Sequence, residues 1–211
     1  MTELTQYLNA IKQEKETKLI PQNIQAGITI LGVQGSCKNF IKADVSKLSG
    51  NLAGIITEVN NLDITEYSGN SLYYLFNGFV NLKKISFKNT SKIINMSYLF
   101  SNCTTLEEIN FQKINTSNVT NMSFMFNKCS SLITIPQFDT RKVTNVYCMF
   151  TDCTRLSNES LNNILAMCVN AKSITSNKTL KYIGLTSEQA TICTGLSNWS
   201  ATQSAGWTTG Y

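Results

Sequence analysis

Between Leu72 and Leu156 one pattern is written four times. With Phe76, Phe100, Phe126 and Phe150 aligned, Leu82, Leu106, Leu132 and Leu156 each follow six residues later, and Ile85, Ile109 and Ile135 nine later. Cys103, Cys129 and Cys153 stand three residues after their Phe, with Phe79 in that slot of the first copy. A common lead-in precedes the later copies: Ile93-Ile94-Asn95-Met96, Val119-Thr120-Asn121-Met122 and Val143-Thr144-Asn145-Val146. The phenylalanines are spaced 24, 26 and 24 residues apart. A unit of this length is too small to bury its own apolar face, so a chain built this way must stack its units on one another.

Each unit has a readable internal order. Leu82-x-x-Ile85-x-Phe87 and Leu106-x-x-Ile109-x-Phe111 alternate as a short strand does. Met96 to Phe100 and Met122 to Phe126 predict a helical turn, with Asn95 or Asn121 as its cap. The expected fold is α+β: a short solenoid with a parallel strand ladder, small helices, and caps at both ends. Val59-x-x-Leu62-x-Ile64 repeats the strand frame and predicts a degenerate first rung within residues 37–70. The first and third units lack two residues between strand and lead-in, which predicts a tighter turn there. Pro136 cannot donate to a ladder, and Glu159 fills the next Ile slot, so the strands should end at Ile135.

Residues 71–156 also resemble a known family. The run Ile109-Asn110-Phe111-Gln112-Lys113-Ile114-Asn115-Thr116-Ser117-Asn118-Val119-Thr120-Asn121-Met122-Ser123-Phe124-Met125-Phe126, followed by Cys129 and Leu132, is similar to the BspA-like leucine-rich repeat of bacterial surface proteins. Phe138-Asp139-Thr140, with Val143-Thr144-Asn145, repeats the match. The resemblance implies a solenoid used for contact with other macromolecules and no enzyme activity. In this frame the outward strand positions are Lys84, Ser86, Glu108, Asn110, Thr134 and Pro136, a small mixed-polar strip and the candidate binding face.

Residues 1–36 read as a separate attachment module. Leu4, Tyr7, Leu8 and Ile11 recur at helical spacing over residues 2 to about 18, and Pro21 bars continuation. So short a helix must dock its apolar stripe on something, either its own domain or an assembly partner. The stretch from Leu19 to Gly35 reads as a turn and a short strand carrying Ile28 and Ile30, punctuated by Gly27, Gly32 and Gly35. Its wording (Ile20-Pro21, Asn23-Ile24, Ala26-Gly27, Thr29-Ile30, Gly32-Val33 and Gly35) resembles a module near the N-termini of phage tail and other virion proteins. Leu4, Tyr7, Leu8, Ile11, Ile28 and Ile30 are therefore the candidate assembly contacts. Beyond Ser157 the period changes. Leu161, Ile164, Leu165 and Cys168 mark a capping helix, and Thr186-x-x-Gln189 a capping box for a second. Trp199, Trp207 and Tyr211 in the tail are either a ligand platform or glue on the last helix.

The composition narrows the function. The chain has no His, which removes the usual catalytic base and the commonest metal ligand. No phosphate-binding glycine loop, calcium loop or CxxC pair is present, so no cofactor and no metal site is expected. The seven Cys residues read mainly as buried thiols, because three stack at one repeat position with parallel side chains, an arrangement that disfavours disulfides. A net charge of +5 without a basic cluster does not point to nucleic acid, and no apolar run spans a membrane. No secretory signal is readable at Met1 to Leu4. The expectation is a non-enzymatic phage virion component of the tail, baseplate or fibre class. It would join other virion proteins through its N-terminus, present its repeats to a host-surface protein or glycan, and form a homo-oligomer, by analogy a trimer. The alternatives are a BspA-like adhesin on a bacterial surface or a capsid-attached decoration protein.

Overall fold

A computed structural model of the chain describes residues 28–30, 33–34, 56–64, 69–110 and 114–211. The helix expected over residues 2–18, with Leu4, Tyr7, Leu8 and Ile11, lies outside the described residues. The architecture combines helices with one small sheet, whose strands are β1 (Ile28–Ile30), β2 (Val33–Gln34), β3 (Ile56–Asp63), β4 (Lys84–Lys88) and β5 (Glu108–Asn110). In the order β2-β1-β3-β4-β5, the first three strands are antiparallel and the last three parallel. The module around Ile28 and Ile30 is thus a pair of strands, where the sequence suggested one, and β1 joins the repeat sheet through Ile28↔Val59 and Ile30↔Ile56.

The parallel strands follow the repeat. Ile85 pairs with Ile109, and both are buried, as are Leu82, Leu106 and Leu132. The degenerate rung is displaced from the frame expected for it. Val59, aligned in sequence with Leu82, stands opposite Ile85, and Leu62 stands opposite Phe87 across a register shift. An extra residue in β3 absorbs the difference, as in a bulge. The ladder shrinks to a single bridge at Glu108↔Thr134. Past it the Ile135 N–H donates to Ser160 Oγ at 3.0 Å, and Asn163 Nδ2 donates to the Ile135 carbonyl at 2.9 Å. The ladder ends where Pro136 requires, and side chains of a helix cover its edge.

The segments expected as helical turns are not helical. Asn95 Oδ1 accepts from the Ser97 N–H and hydroxyl at 3.0 and 2.7 Å, and Asn121 does the same for Ser123 at 3.0 and 2.8 Å. These are Asx turns, which offer the backbone an alternative to helix. At the residue after each Ser the chain enters the left-handed region, at Tyr98 (φ 57°) and Phe124 (φ 55°). Alternate N–H groups then point to the next copy. Met96, Tyr98, Phe100 and Asn102 donate to the carbonyls of Asn121, Ser123, Met125 and Asn127, while Leu99, Ser101 and Cys103 close short turns within their own copy. Phe76 and the three later phenylalanines form a buried column with ring centroids 5.9, 5.7 and 5.5 Å apart and planes within 17° of parallel.

Two further columns stitch the copies. Cys103, Cys129 and Cys153 are free and buried, and their thiols donate to the carbonyls of Phe76, Phe100 and Phe126 at 3.0, 3.1 and 3.0 Å. At another corner the buried Thr90 hydroxyl bonds both the N–H and the carbonyl of Asn115, and Thr116 does so for Asp139. Thr140 donates instead to Met167 O, at 2.6 Å. The short return of the first unit takes one 3-10 turn, Thr90–Lys92.

Four helices close the far end: α1 (Asn158–Asn170), α2 (Leu180–Ile183), α3 (Ser187–Thr194) and α4 (Trp199–Ser204). Leu161, Ile164, Leu165 and Cys168 are the buried face of α1, and both halves of the Thr186/Gln189 capping box form. Short α2 replaces the missing next copy, since Cys148 and Phe150 N–H donate to the carbonyls of Tyr182 and Ile183. At its left-handed C-cap, Gly184, an added Cβ would fall 2.6 Å from the Thr151 backbone nitrogen, so only Gly fits there. Trp207 is buried and Trp199 packs against the core, so both serve as glue; Tyr211 is exposed and its hydroxyl donates to Leu185 O.

Thr116→Val should lower stability by about 1–3 kcal/mol, because it leaves the part-buried N–H and carbonyl of Asp139 without their partner, whereas Thr116→Ser should lose much less; urea denaturation reads both. Burial pushes the thiols of Cys103 and Cys153 up to about 12 from an ordinary 9.0, and Cys129 is also raised. The fold therefore favours the neutral thiol, and this stability is whole below pH 9 and lost as the pH climbs towards 12. Across that window, urea midpoints should fall less steeply for Cys129→Ala than for the parent chain.

Candidate binding surface

Two surfaces run along the repeats. On the strand side, Lys84, Glu108, Asn110 and Thr134 are exposed, and Pro136 is half-buried. Lys84 and Glu108 are register partners, as are Glu108 and Thr134, so these positions do come together. Ser86 departs from the expected strip, being only 8% exposed. It is a short side chain on the central of three parallel strands and does not reach past its neighbours. The strip that remains is polar, of mixed charge and broken in the middle.

The other surface was not singled out in the sequence. Every copy places its residue two before the Phe in the left-handed region: Tyr74, Tyr98, Phe124 and Cys148, with φ between 52° and 62°. This turns the side chain outward, beside the alternating donors that bind the next copy. The outcome is a continuous aromatic ladder. Tyr74 stacks on Tyr98 at 4.6 Å and Tyr98 on Phe124 at 4.5 Å, with planes 22° and 14° apart. Tyr73 stands beside the first two rings, 4.5 Å from Tyr74 and 5.9 Å from Tyr98, turned by 63° and 84° to them. In the fourth copy the aromatic moves one position back, to Tyr147, which meets Phe124 edge to face at 5.2 Å and 89°. Tyr182 of α2 lies 5.1 Å beyond, where a fifth copy would have put its ring.

The rings are held at the surface, not buried. Tyr73 is 53% exposed, Tyr147 44% and Tyr74 39%, while Tyr98, Phe124 and Tyr182 are half-buried. Desolvation and the adjacent phenols of Tyr73 and Tyr98 raise the pKa of Tyr74, and a hydrogen bond with Cys148 raises that of Tyr147. The ladder itself has no charged residue, and neither do the lead-in positions beside it, Ile94, Asn95, Thr120, Asn121, Thr144 and Asn145. Beyond it, the second left-handed position of each turn holds Gly78, Asn102, Lys128 and Asp152, one charge of each sign.

The energetics of this position are unusual. An L-residue in the left-handed region costs roughly 1–2 kcal/mol, which Asn and Gly largely escape. Ring stacking offsets about 0.5–1.5 kcal/mol per pair. The two nearly cancel, so the aromatics at Tyr74, Tyr98 and Phe124 are not explained by stability alone. A periodic outlier of this kind is grounds for a functional reading.

Among the described residues, no group of three or more His, Cys, Asp or Glu could hold a metal ion, and no helix is long and apolar enough to cross a membrane. An apolar cavity between the fourth copy and the helices is lined by residues including Met149, Ile164, Met167 and Trp207. The Trp207 indole N–H there has no partner among the described residues.

A family model described as "Mycoplasma protein of unknown function, DUF285" matches residues 70–181, from just before the first copy to α2. No curated protein and no solved structure matches the chain.

Tyr98→Asn should keep stability within about 1 kcal/mol of the parent, since relief of left-handed strain offsets the lost stacking. Thermal or urea denaturation decides this, and a loss above about 2 kcal/mol would make the ring structural.

Proposed function

The chain belongs to this Mycoplasma protein family of unknown function, whose model covers more than half of it, and from that footing we propose that it is a non-enzymatic display protein of a phage virion. Its repeats form a short leucine-rich-repeat solenoid of the BspA-like kind, held out for contact with a cell surface. The observation that carries this reading is the aromatic ladder: a surface feature that recurs copy after copy, held by strained backbone, with no stability gain to account for it. The absence of His among all 211 residues supports a role in contact over one in catalysis. The Ile20-to-Gly35 wording supports attachment to a particle, through residues at the opposite end of the chain from the helical cap.

A second reading, an adhesin on a bacterial surface, draws support from the bacterial name of the family. Immunogold electron microscopy with antibody to the chain separates the two. Label on particles released from the strain that encodes it is the expected outcome. Label on the cell envelope with bare particles would replace the first reading by the second.

A further inference from the structure

The ladder is shaped for a particular class of ligand. It is narrow and runs through Tyr74, Tyr98, Phe124, Tyr147 and Tyr182 along the direction in which the copies stack, with Tyr73 set beside its first two rings. A globular partner needs on the order of 800 Å² of matching surface on each side. A narrow file of rings beside Asn, Thr and Ser does not supply that, but it does suit a chain-like ligand.

The rings are turned in two ways, and the difference matters. Tyr74, Tyr98 and Phe124 cover one another's faces and turn their edges outward. Tyr73 and Tyr147, the most exposed rings of the file, turn across it by 84° and 89°, which takes their planes out of the column. They belong to copies three rungs apart, a separation of roughly 14 Å at strand spacing. Two exposed rings therefore flank a row of ring edges that carries the phenols of Tyr74 and Tyr98.

Charge decides which chain fits. A polyanion would be met by Lys or Arg, and neither the ladder nor its lead-in positions hold one. From this surface we infer that the ladder binds an extended, uncharged oligosaccharide laid along the stacking axis. Its sugars set their C–H faces on Tyr73 and Tyr147, and their hydroxyls pair with the phenols between and with the Asn and Thr side chains alongside. This rests on the reading of the repeats as a surface-contact domain and names the ligand of that contact.

The test uses the full chain and immobilised neutral oligosaccharides of gluco-, galacto- and N-acetylglucosamine series, one to six units long, with sulfated dextran as the anionic probe. At least one neutral series should bind, more tightly with length up to about four units, and with little change between low and high salt. Tyr73→Ala and Tyr147→Ala should each weaken it at least tenfold, with thermal melts confirming that both variants fold, and Lys172→Ala, at an exposed position beyond α1, should leave it unchanged. Binding of sulfated dextran alone, or neutral binding indifferent to both Tyr variants, would overturn the inference. Binding to cell envelopes before and after periodate treatment separates the two levels. Binding that survives periodate but is lost in Tyr147→Ala keeps the contact reading and replaces the glycan by a protein. Absence of binding to oligosaccharides and envelopes alike removes the contact reading with it.

Discussion

Half the N–H groups in each Phe-bearing turn have no partner in their own copy. Those of Tyr98, Phe100 and Asn102 reach carbonyls about one repeat ahead, and those of Phe124, Phe126 and Lys128 do the same again. A backbone donor left without a partner in a buried turn costs as much as a lost hydrogen bond, so no copy is stable by itself and none can be last. The far end of the molecule follows from that constraint. Tyr182 and Ile183 offer the carbonyls that a fifth copy would have offered, and at the strand the Ser160 hydroxyl accepts from the Ile135 N–H while the Asn163 amide donates to the Ile135 carbonyl. Thr140 finds Met167 O where Thr116 found Asp139. The helices are a substitute copy, matched corner by corner.

What could be read from the residues was whatever the core repeats strictly. Phe, Leu, Ile and Cys recur because each meets its own kind or a fixed carbonyl above and below, and a fixed environment selects one residue type. The capping box of α3 was equally legible, since a side chain and a backbone group decide it within three residues. The register of β3 was not. Val59 and Leu62 have the spacing of Leu82 and Ile85, and nothing in their identity signals the extra residue that slides Val59 opposite Ile85. Ser86 was assigned outward by alternation alone, and alternation tells which face a side chain takes but not how far it projects.

The turns misled for a different reason. Met96 to Phe100 has apolar residues at helical spacing and a capping Asn, yet the Asn side chain closes an Asx turn and Tyr98 goes left-handed. Left-handed geometry is usually announced by Gly or Asn. Here the position carries Tyr, Tyr, Phe and Cys in succession, so it neither advertises its conformation nor repeats as one residue type. The shift to Tyr147 in the last copy breaks the frame again, although in space that ring continues the file. A candidate surface spread over two sequence positions and a helix becomes visible only when the turns are built.

That irregularity is itself informative. The inner columns vary little because the cost of change is set by neighbours in a closed interior, as Cys129 shows between Cys103 and Cys153. The outer file keeps aromatic character through Tyr, Phe, a displaced Tyr and a Tyr borrowed from α2, while tolerating changes of position and hydroxyl. Stacking strength alone would not require the file to continue past the fourth copy, where the hydrogen-bonded turns stop and Tyr182 takes over on another element. Aromatic character is thus maintained along a line in space and not along a position in the repeat. A constraint acting from outside the molecule, along that line, has this form; one imposed by the fold would have kept the residue in register.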